Sequence, residues 1–370
     1  MSISKTAASL FKPFEGGGLK LANRVVMAPM TRTFSPDGVP GPDVAGYYRR
    51  RAENGVGLII TEGTVINHPA APADRNVPHF YGEEALAGWE RVVREVHEAG
   101  GKIAPQIWHT GTARQRETFS ESNVDPIGPS GLSLTGEPVS EPLTKQEIRE
   151  LVQAYAQSAA DAKRLGFDAV EIHGAHGYLI DQFFWEVTNK RTDEYGGDLV
   201  GRTRFGVEVI EAVRAAVGPE FPIIFRFSQW KPADYNAKLA ASSEELERFL
   251  APLSAAGVDI FHASTRRFWE PEFSGSELNL AGWTRKLTGK PTITVGSVGL
   301  NSEFTSLFES GKGGETTGIE QLIERLERGE FDLVAVGRAL LTDPAWAAKI
   351  RDGRMEELQP FTKESLATLS

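Results

Sequence analysis

The sequence predicts an α/β protein built as a single (β/α)8 TIM barrel over residues 1–370. Three observations lead there. Eight short β-rich runs alternate with longer amphipathic segments along the whole chain. Strict βα alternation implies parallel strands, because each return must cross over through a helix. The first run ends in Ala28-Pro-Met-Thr-Arg32, which cannot form the Gly-x-Gly-x-x-Gly turn of an open dinucleotide-binding sheet.

In chain order the predicted strands are Arg24–Ala28, Gly57–Thr61, Lys102–Gln106, Ala169–Ile172, Pro222–Phe227, Val258–His262, Thr292–Val295 and Leu333–Val336. Ahead of the first, Phe11–Leu21 contains Gly16-Gly-Gly18 and is expected to be a hairpin covering the bottom of the barrel. After the third strand, Asn123–Pro142 is rich in Pro, Gly and Ser. It is too long for an ordinary βα loop and is expected to cover part of the top. The next helix opens with Thr144-Lys-Gln-Glu147, a capping box, and continues with Ile148, Leu151, Val152, Tyr155 and Ala159 on one face. Ser242-Ser-Glu-Glu245 opens another, followed by Leu246, Phe249, Leu250 and Leu253. Leu165-Gly-Phe-Asp168 and Ala256-Gly-Val-Asp259 are read as helix stops, since glycine allows the left-handed turn that ends a helix. Gly311–Thr317 is expected to be a short flexible insert.

Composition narrows the function. Fifty acidic residues against 40 basic ones give a formal net charge of -10. That balance argues against a general nucleic-acid binder, which needs Lys and Arg to neutralise phosphates, but leaves room for a local basic pocket. No apolar run reaches the roughly 18 residues of a membrane span, and MSISKTAASL lacks the apolar core of a signal peptide, so a cytoplasmic protein without a membrane partner is expected. The cysteine count is zero, which excludes disulfides, thiolate nucleophiles, cysteine-ligated zinc and iron–sulfur clusters.

In a barrel the active site lies at the carboxyl ends of the strands. Those ends supply Pro29, Met30, Thr31 and Arg32, then Glu62 and Gly63, then Gln106, Trp108 and His109. Further on come His173, His176 and Tyr178, then Arg226 with Ser228, Gln229 and Trp230. The last two strands supply Gly296-Ser297-Val298-Gly299 and Gly337-Arg338. The set is polar, aromatic and cationic, without a dense cluster of carboxylates, and suggests a planar anionic cofactor rather than glycoside hydrolysis. Barrels often bind phosphate after strands seven and eight, where glycines let backbone amides approach and Arg338 offers a two-pronged donor. The plainer alternative is a turn and an ion pair. His173, His176 and Tyr178 could shuttle protons or hold a carbonyl. Metal is disfavoured because no third ligand sits at a recognisable spacing. Arg226, inside the apolar run Ile223–Phe227, needs an anionic partner if that strand lines the lumen. A cofactor would serve, and so would a buried Asp or Glu.

The stretches Asn23–Arg32, Ile60–Gly63, Gln106–His109, Glu171–Phe184, Asn189–Gly197 and Val336–Arg338 jointly resemble the Old Yellow Enzyme family, and its classical branch in having Thr31 where another branch carries cysteine. These are FMN-dependent NAD(P)H:flavin oxidoreductases, or ene-reductases. The resemblance implies that Pro29, Met30 and Thr31 lie along the isoalloxazine of a tightly bound, non-covalent FMN. Gly63 and Gln106 would bond its pyrimidine edge, and Arg226 would sit near N1 and O2. Gly296, Ser297, Gly337 and Arg338 would hold its phosphate. His173 and His176 would grip the substrate carbonyl, Tyr178 would donate the proton, and Trp108 would shape the pocket. Phe268 or Trp269, in the loop Arg266–Phe273, is expected to lid it and narrow substrate choice, the plainer alternative being a loop packed on the barrel rim. NAD(P)H would be the reductant, and an activated alkene or quinone the small-molecule substrate. Arg266 or Arg267 could contact a 2′-phosphate, and the protein is expected to be a monomer or homodimer. A second reading is a flavin-binding electron carrier or sensor for a protein partner. A barrel aldolase or hydrolase would need a Schiff-base Lys or a metal-ligand set, and Lys102 begins its strand rather than ending it.

Overall fold

The computed structural model describes residues 7–114, 124–302 and 313–370. Eight parallel strands close into a barrel in chain order: β3 Val25–Met27, β4 Leu58–Val65, β5 Ile103–Trp108, β6 Val170–Gly174, β7 Ile223–Ser228, β8 Ile260–Ser264, β9 Thr292–Val295 and β10 Leu333–Val336. The last strand pairs with the first through Val334 and Val25. The predicted strands agree within a few residues. The second runs further than expected, so Glu62 and Gly63 lie inside β4, beside a register shift between Ile60 and Gly63.

Side chains alternate across each strand, and the alternation sorts the core into two sets. Val25, Met27, Ile103, Ile107, Val170, Ile172, Ile223, Phe225, Phe227, Phe261, Val334 and Val336 pack outward against the helices. Val26, Leu58, Ile60, Ala104, Ala169, Ile224, Ile260, Ile293 and Leu333 form an inner apolar cluster. That cluster also contains Phe14, Leu19 and Leu21 of the hairpin β1 Phe14–Gly16 and β2 Leu19–Leu21. The hairpin thus plugs the lumen from below, each of its buried apolar side chains contributing roughly 1.5–3 kcal/mol. Its turn residues Gly17 and Gly18 have φ of 54° and 79°. A Cβ on Gly17 would also fall 2.5 Å from Ile260 Cγ1, so glycine is required there twice over.

The barrel is surrounded by α1 Pro42–Glu53, α2 Glu83–Glu98, α3 Lys145–Arg164, α5 Arg204–Val217, α6 Ser243–Ala256, α7 Leu280–Thr288 and α8 Glu320–Glu327. Shorter helices, α4 Leu179–Phe184, α9 Arg338–Thr342 and α10 Trp346–Asp352, follow β6 and β10. Thr144 and Glu147 form the expected capping box on α3. On α6 the box is displaced: Ser242 accepts from Glu245 N, but the Glu245 carboxylate accepts from Ala241 N rather than from the cap residue. Gly166 and Gly257 have positive φ, as expected of helix stops. The aspartates that follow them do more. Asp168 accepts from Ile103 N at 2.9 Å and Asp259 from Ile223 N at 2.8 Å. Asp332 repeats the bond to Thr292 N at 3.0 Å. Each sews the start of one strand to its neighbour.

Asn123 of the expected excursion, Gly311 and Lys312 of the expected insert, and Met1–Thr6 lie outside the described residues. The rest of the insert is held in place by bridges from Gly314 to Phe361 and from Thr316 to Leu300. Among the described residues no helix is long and apolar enough to cross a membrane.

Candidate active site

Strand alternation places a polar layer above the apolar plug. Ala104, Gln106 and Trp108 of β5 point inward in turn, as do Ala169 just before β6, Glu171 and His173 of β6, and Ile224 and Arg226 of β7. Ile260, His262 and Ser264 do the same on β8. The inner wall therefore changes from aliphatic to polar within one strand length.

Beyond β6 the chain turns through His176 and Gly177, both left-handed, with φ of 62° and 72°. His176 N donates to Ser228 Oγ at 3.0 Å, and Gly177 N to Asp181 Oδ2 at 2.7 Å. Asp181 is itself held by Lys231 at 2.8 Å, and both side chains are fully buried. This ion pair fixes the turn that presents His176 and Tyr178. The ring centroids of His173 lie 5.2 Å from His176 and 4.9 Å from Tyr178. His173 Nδ1 faces Ala175 N at 3.3 Å and accepts from it, which leaves Nε2 as the protonated nitrogen. Burial drives the pKa of both imidazoles well below the ordinary value, with Arg226 adding to the effect. Burial also raises that of the Tyr178 phenol, against the pull of Arg226.

Trp108 stands edge-on to Tyr178 at 4.8 Å. A Cβ at position 63 would come within 2.5 Å of its ring, so Gly63 is demanded by the indole. Next to it, the Glu62 carboxylate accepts from Arg32 N at 2.8 Å and Thr33 N at 3.3 Å. Thr33 has φ of 60°, so Glu62 pins the strained turn that follows Met30 and Thr31. Gln106 Nε2 donates to Glu171 Oε1 at 2.8 Å, and the other oxygen of Glu171 meets His262 Nδ1 at 2.7 Å. Arg226 is buried beside this group. Its Nη2 reaches Ser264 Oγ at 3.5 Å, and its Nε has no partner among the described residues.

At the far side Gly296 and Ser297 have φ of 144° and 50°. A Cβ on Gly296 would lie 2.7 Å from Thr265 Oγ1. Arg338 donates to Ser297 Oγ and Ser302 Oγ, both at 3.3 Å.

These groups share one cavity of about 570 Å³. Pro29, Met30, Thr31, Gly63, Gln106, Trp108, His173, His176, Tyr178, Arg226, Gly296, Ser297, Gly337 and Arg338 all line it. Trp269 does not. It packs edge-on to Phe268 at 5.1 Å, and its carbonyl accepts from Arg325, so Arg266 is the residue of that loop that reaches the cavity wall. His109 is turned away, with Nε2 3.2 Å from His68 Nδ1. Gln229 bonds the 239–240 backbone, and the Arg32 guanidinium caps carbonyls of the last residues, Thr368 at 2.8 Å. Among the described residues no group of three or more His, Asp or Glu could hold a metal ion. Sequence reasoning missed Ser264, Tyr235 and Leu366 in the wall, and the network of Glu171 and His262 below it. Alternation along Ile260–Ser264 carried a signal for His262 and Ser264; Leu366 had none.

The cavity suits a flat, anionic, phosphorylated ligand. Ala28, Pro29, Met30, Val295, Ala335 and Leu341 provide apolar wall, Arg226 offers an unpartnered buried donor, and Arg338 lies beside two left-handed residues. Residues 9–357 match the model of the NADH:flavin oxidoreductase / NADH oxidase family. The chain is 35% identical over 362 residues to NADH oxidase of Thermoanaerobacter brockii, covering 95% of this chain and 52% of that protein. It thus spans about half the length of that relative. It is 42% identical over 372 residues to 12-oxophytodienoate reductase 7 of Oryza sativa subsp. japonica, covering 93% of this chain and 88% of the other. Among solved structures, morphinone reductase in complex with tetrahydroNAD superposes with a TM-score of 0.80 at 30% identity, covering 97% and 94% of the two chains. The old yellow enzyme homologue from Zymomonas mobilis gives 0.79 at 27% identity, covering 97% and 96%.

Proposed function

Because this chain belongs to the NADH:flavin oxidoreductase / NADH oxidase family, with FMN as cofactor and NAD(P)H as reductant, we propose that it is an ene-reductase acting on activated C=C bonds. FMN, when bound, would supply two-electron hydride chemistry between NAD(P)H and the β-carbon of an α,β-unsaturated carbonyl or nitro compound. Pro29, Met30, Thr31, Gly63, Gln106 and Arg226 hold its ring system, and Gly296, Ser297, Gly337 and Arg338 hold its phosphate.

One observation carries the reading: two imidazoles and a phenol converge at the cavity wall, with centroids 4.9–6.5 Å apart. Neutral His173 and His176 donate hydrogen bonds to the substrate's carbonyl or nitro oxygen and polarise it without surrendering a proton. Tyr178 keeps its proton at neutral pH, because burial raises its pKa, and delivers it to the α-carbon. Position matters more than acidity in that transfer. Arg226 stabilises negative charge at the pyrimidine edge from a site where it needs no reorganisation. Trp108, 4% exposed, keeps water from the clamp. An electron carrier has no use for such an oxygen grip.

The test is the visible spectrum of the purified protein, with anaerobic NADPH added first and cyclohexenone second. A flavin band that bleaches and then returns without oxygen is the expected result. Return only with oxygen would favour the oxidase or carrier reading, and a protein that cannot be loaded with FMN would sink both.

A further inference from the structure

The mechanism above uses Gln106 and Arg226 but not the buried pair beneath them. Glu171 and His262 are both fully buried. Glu171 accepts from Gln106 Nε2 on one oxygen and faces His262 Nδ1 with the other, at 2.8 and 2.7 Å. A carboxylate only accepts, so it admits Gln106 in one amide orientation: nitrogen inward, with Oε1 and the second N–H left over. The strand register sets Arg226 directly between His173 on one side and His262 on the other. The guanidinium therefore shares a rung with the imidazole that Glu171 holds. Burial lowers the His262 pKa despite Glu171, so the imidazole is neutral, and the cluster combines one cation with one anion. The charge of Glu171 acts on Arg226 in the same sense, favouring its charged form against burial.

We propose that Glu171 is a positioning residue that sets the reduction potential of bound FMN, by fixing the amide of Gln106 and offsetting the charge of Arg226 at the pyrimidine edge. The inference rests on the reading that this edge faces Gln106 and Arg226. FMN gains negative charge there on reduction, and an uncompensated guanidinium in a low-dielectric lumen would favour the reduced form strongly. Glu171 moderates that preference, so that electrons arriving from NAD(P)H can leave again to the alkene.

The experiment is anaerobic reduction of the holoenzyme against a reference dye, reading the ratio of reduced to oxidised FMN at equilibrium. E171Q keeps the volume and removes the charge. Its ratio is expected to rise about tenfold, equivalent to about 30 mV for a two-electron couple. E171D, which retains the charge, and H262Q, which retains both the carboxylate and a donor to it, are expected within about threefold of the parent. An unchanged ratio in E171Q, or an equal rise in E171D and H262Q, overturns the proposal. If E171Q yields no folded holoenzyme, E171L/H262L replaces the pair with apolar groups, an exchange buried polar pairs often tolerate. The same tenfold rise is expected, and its absence overturns the proposal. R226M separates this inference from the reading beneath it. A ratio lowered at least tenfold in R226M but unchanged in E171Q would sink only the role of Glu171. No change in R226M would sink the placement of the pyrimidine edge.

Discussion

His176 Nε2 lies 2.7 Å from the hydroxyl of Ser264, the last residue of β8, and that hydroxyl is also 3.5 Å from Arg226 Nη2. One serine therefore ties the proposed substrate clamp to the proposed cofactor cation. Trp230 encloses the junction, its ring tilted against His176 with centroids 4.7 Å apart while its Nε1 donates to the Ser264 carbonyl at 3.1 Å. Ser264→Ala removes a side-chain hydrogen bond that contributes about 0.5–1.5 kcal/mol. The KM for enone is expected to rise by roughly 2–10-fold, with the rate of flavin reduction by NADPH unchanged. Stopped-flow measurement of the two half-reactions checks this, and an equal loss in both would mean the serine acts through Arg226 or the fold rather than through His176.

Tyr178→Phe keeps the ring that packs against Trp108 and His173 and removes only the hydroxyl. Enone reduction is expected to fall by about 10²–10⁴-fold. Flavin reduction should remain within about twofold, since general-acid catalysis is confined to the second half-reaction. If both half-reactions run at parental rates, another group must supply the proton.

Gly63→Ala tests whether glycine is there for space. The new methyl would meet Trp108 at 2.5 Å, inside a barrel wall whose strand β4 is buried throughout. Overpacking of this kind costs about 1–3 kcal/mol. A lower midpoint in chemical denaturation, together with altered Trp fluorescence, is expected; parental values in both would show that the wall yields.

Glu62 gives a pH dependence with a definite sign. Burial raises its carboxyl from the ordinary 4.5 to about 7, opposed by the bonds from Arg32 and Thr33. Between those values the folded protein binds a proton that the unfolded chain has released. Its contribution is therefore complete below pH 4.5 and lost as pH rises through about 7. The loss is on the order of 3 kcal/mol. E62Q can still accept from Arg32 and Thr33 but cannot ionise. The stability difference between E62Q and parent is expected to widen in favour of E62Q from pH 5 to 8, and a constant difference in denaturation midpoints would refute it.

Much of this architecture was legible in the residues. Parallel strands covered on both faces are short continuous apolar runs, so Ile223–Phe227 and Leu333–Val336 could be located before any pairing was known. Most of the residues that line the cavity were legible as well, because a barrel gathers its strand ends at one rim. Arg226 was recognisable as a lumen cation, but the sequence left open whether a cofactor or a buried acid would face it. The structure supplies Glu171 in the same polar layer and still leaves the Arg226 Nε unpartnered. Trp269 shows the opposite case. Its loop was identified, yet the direction of each side chain within a loop follows from packing, and Arg266 faces the cavity instead.

The sequence by itself determined the barrel, the approximate position of its strands and most of the polar residues at the rim, because periodicity and strand ends are local properties of the chain. Tertiary structure decided which of those residues face one another. Ser264 meets His176 across 88 positions, Glu171 meets His262 across 91, and Arg32 meets Thr368 across 336. Such pairs depend on barrel closure and strand stagger, which bring distant side chains within hydrogen-bonding distance and leave no trace in local sequence.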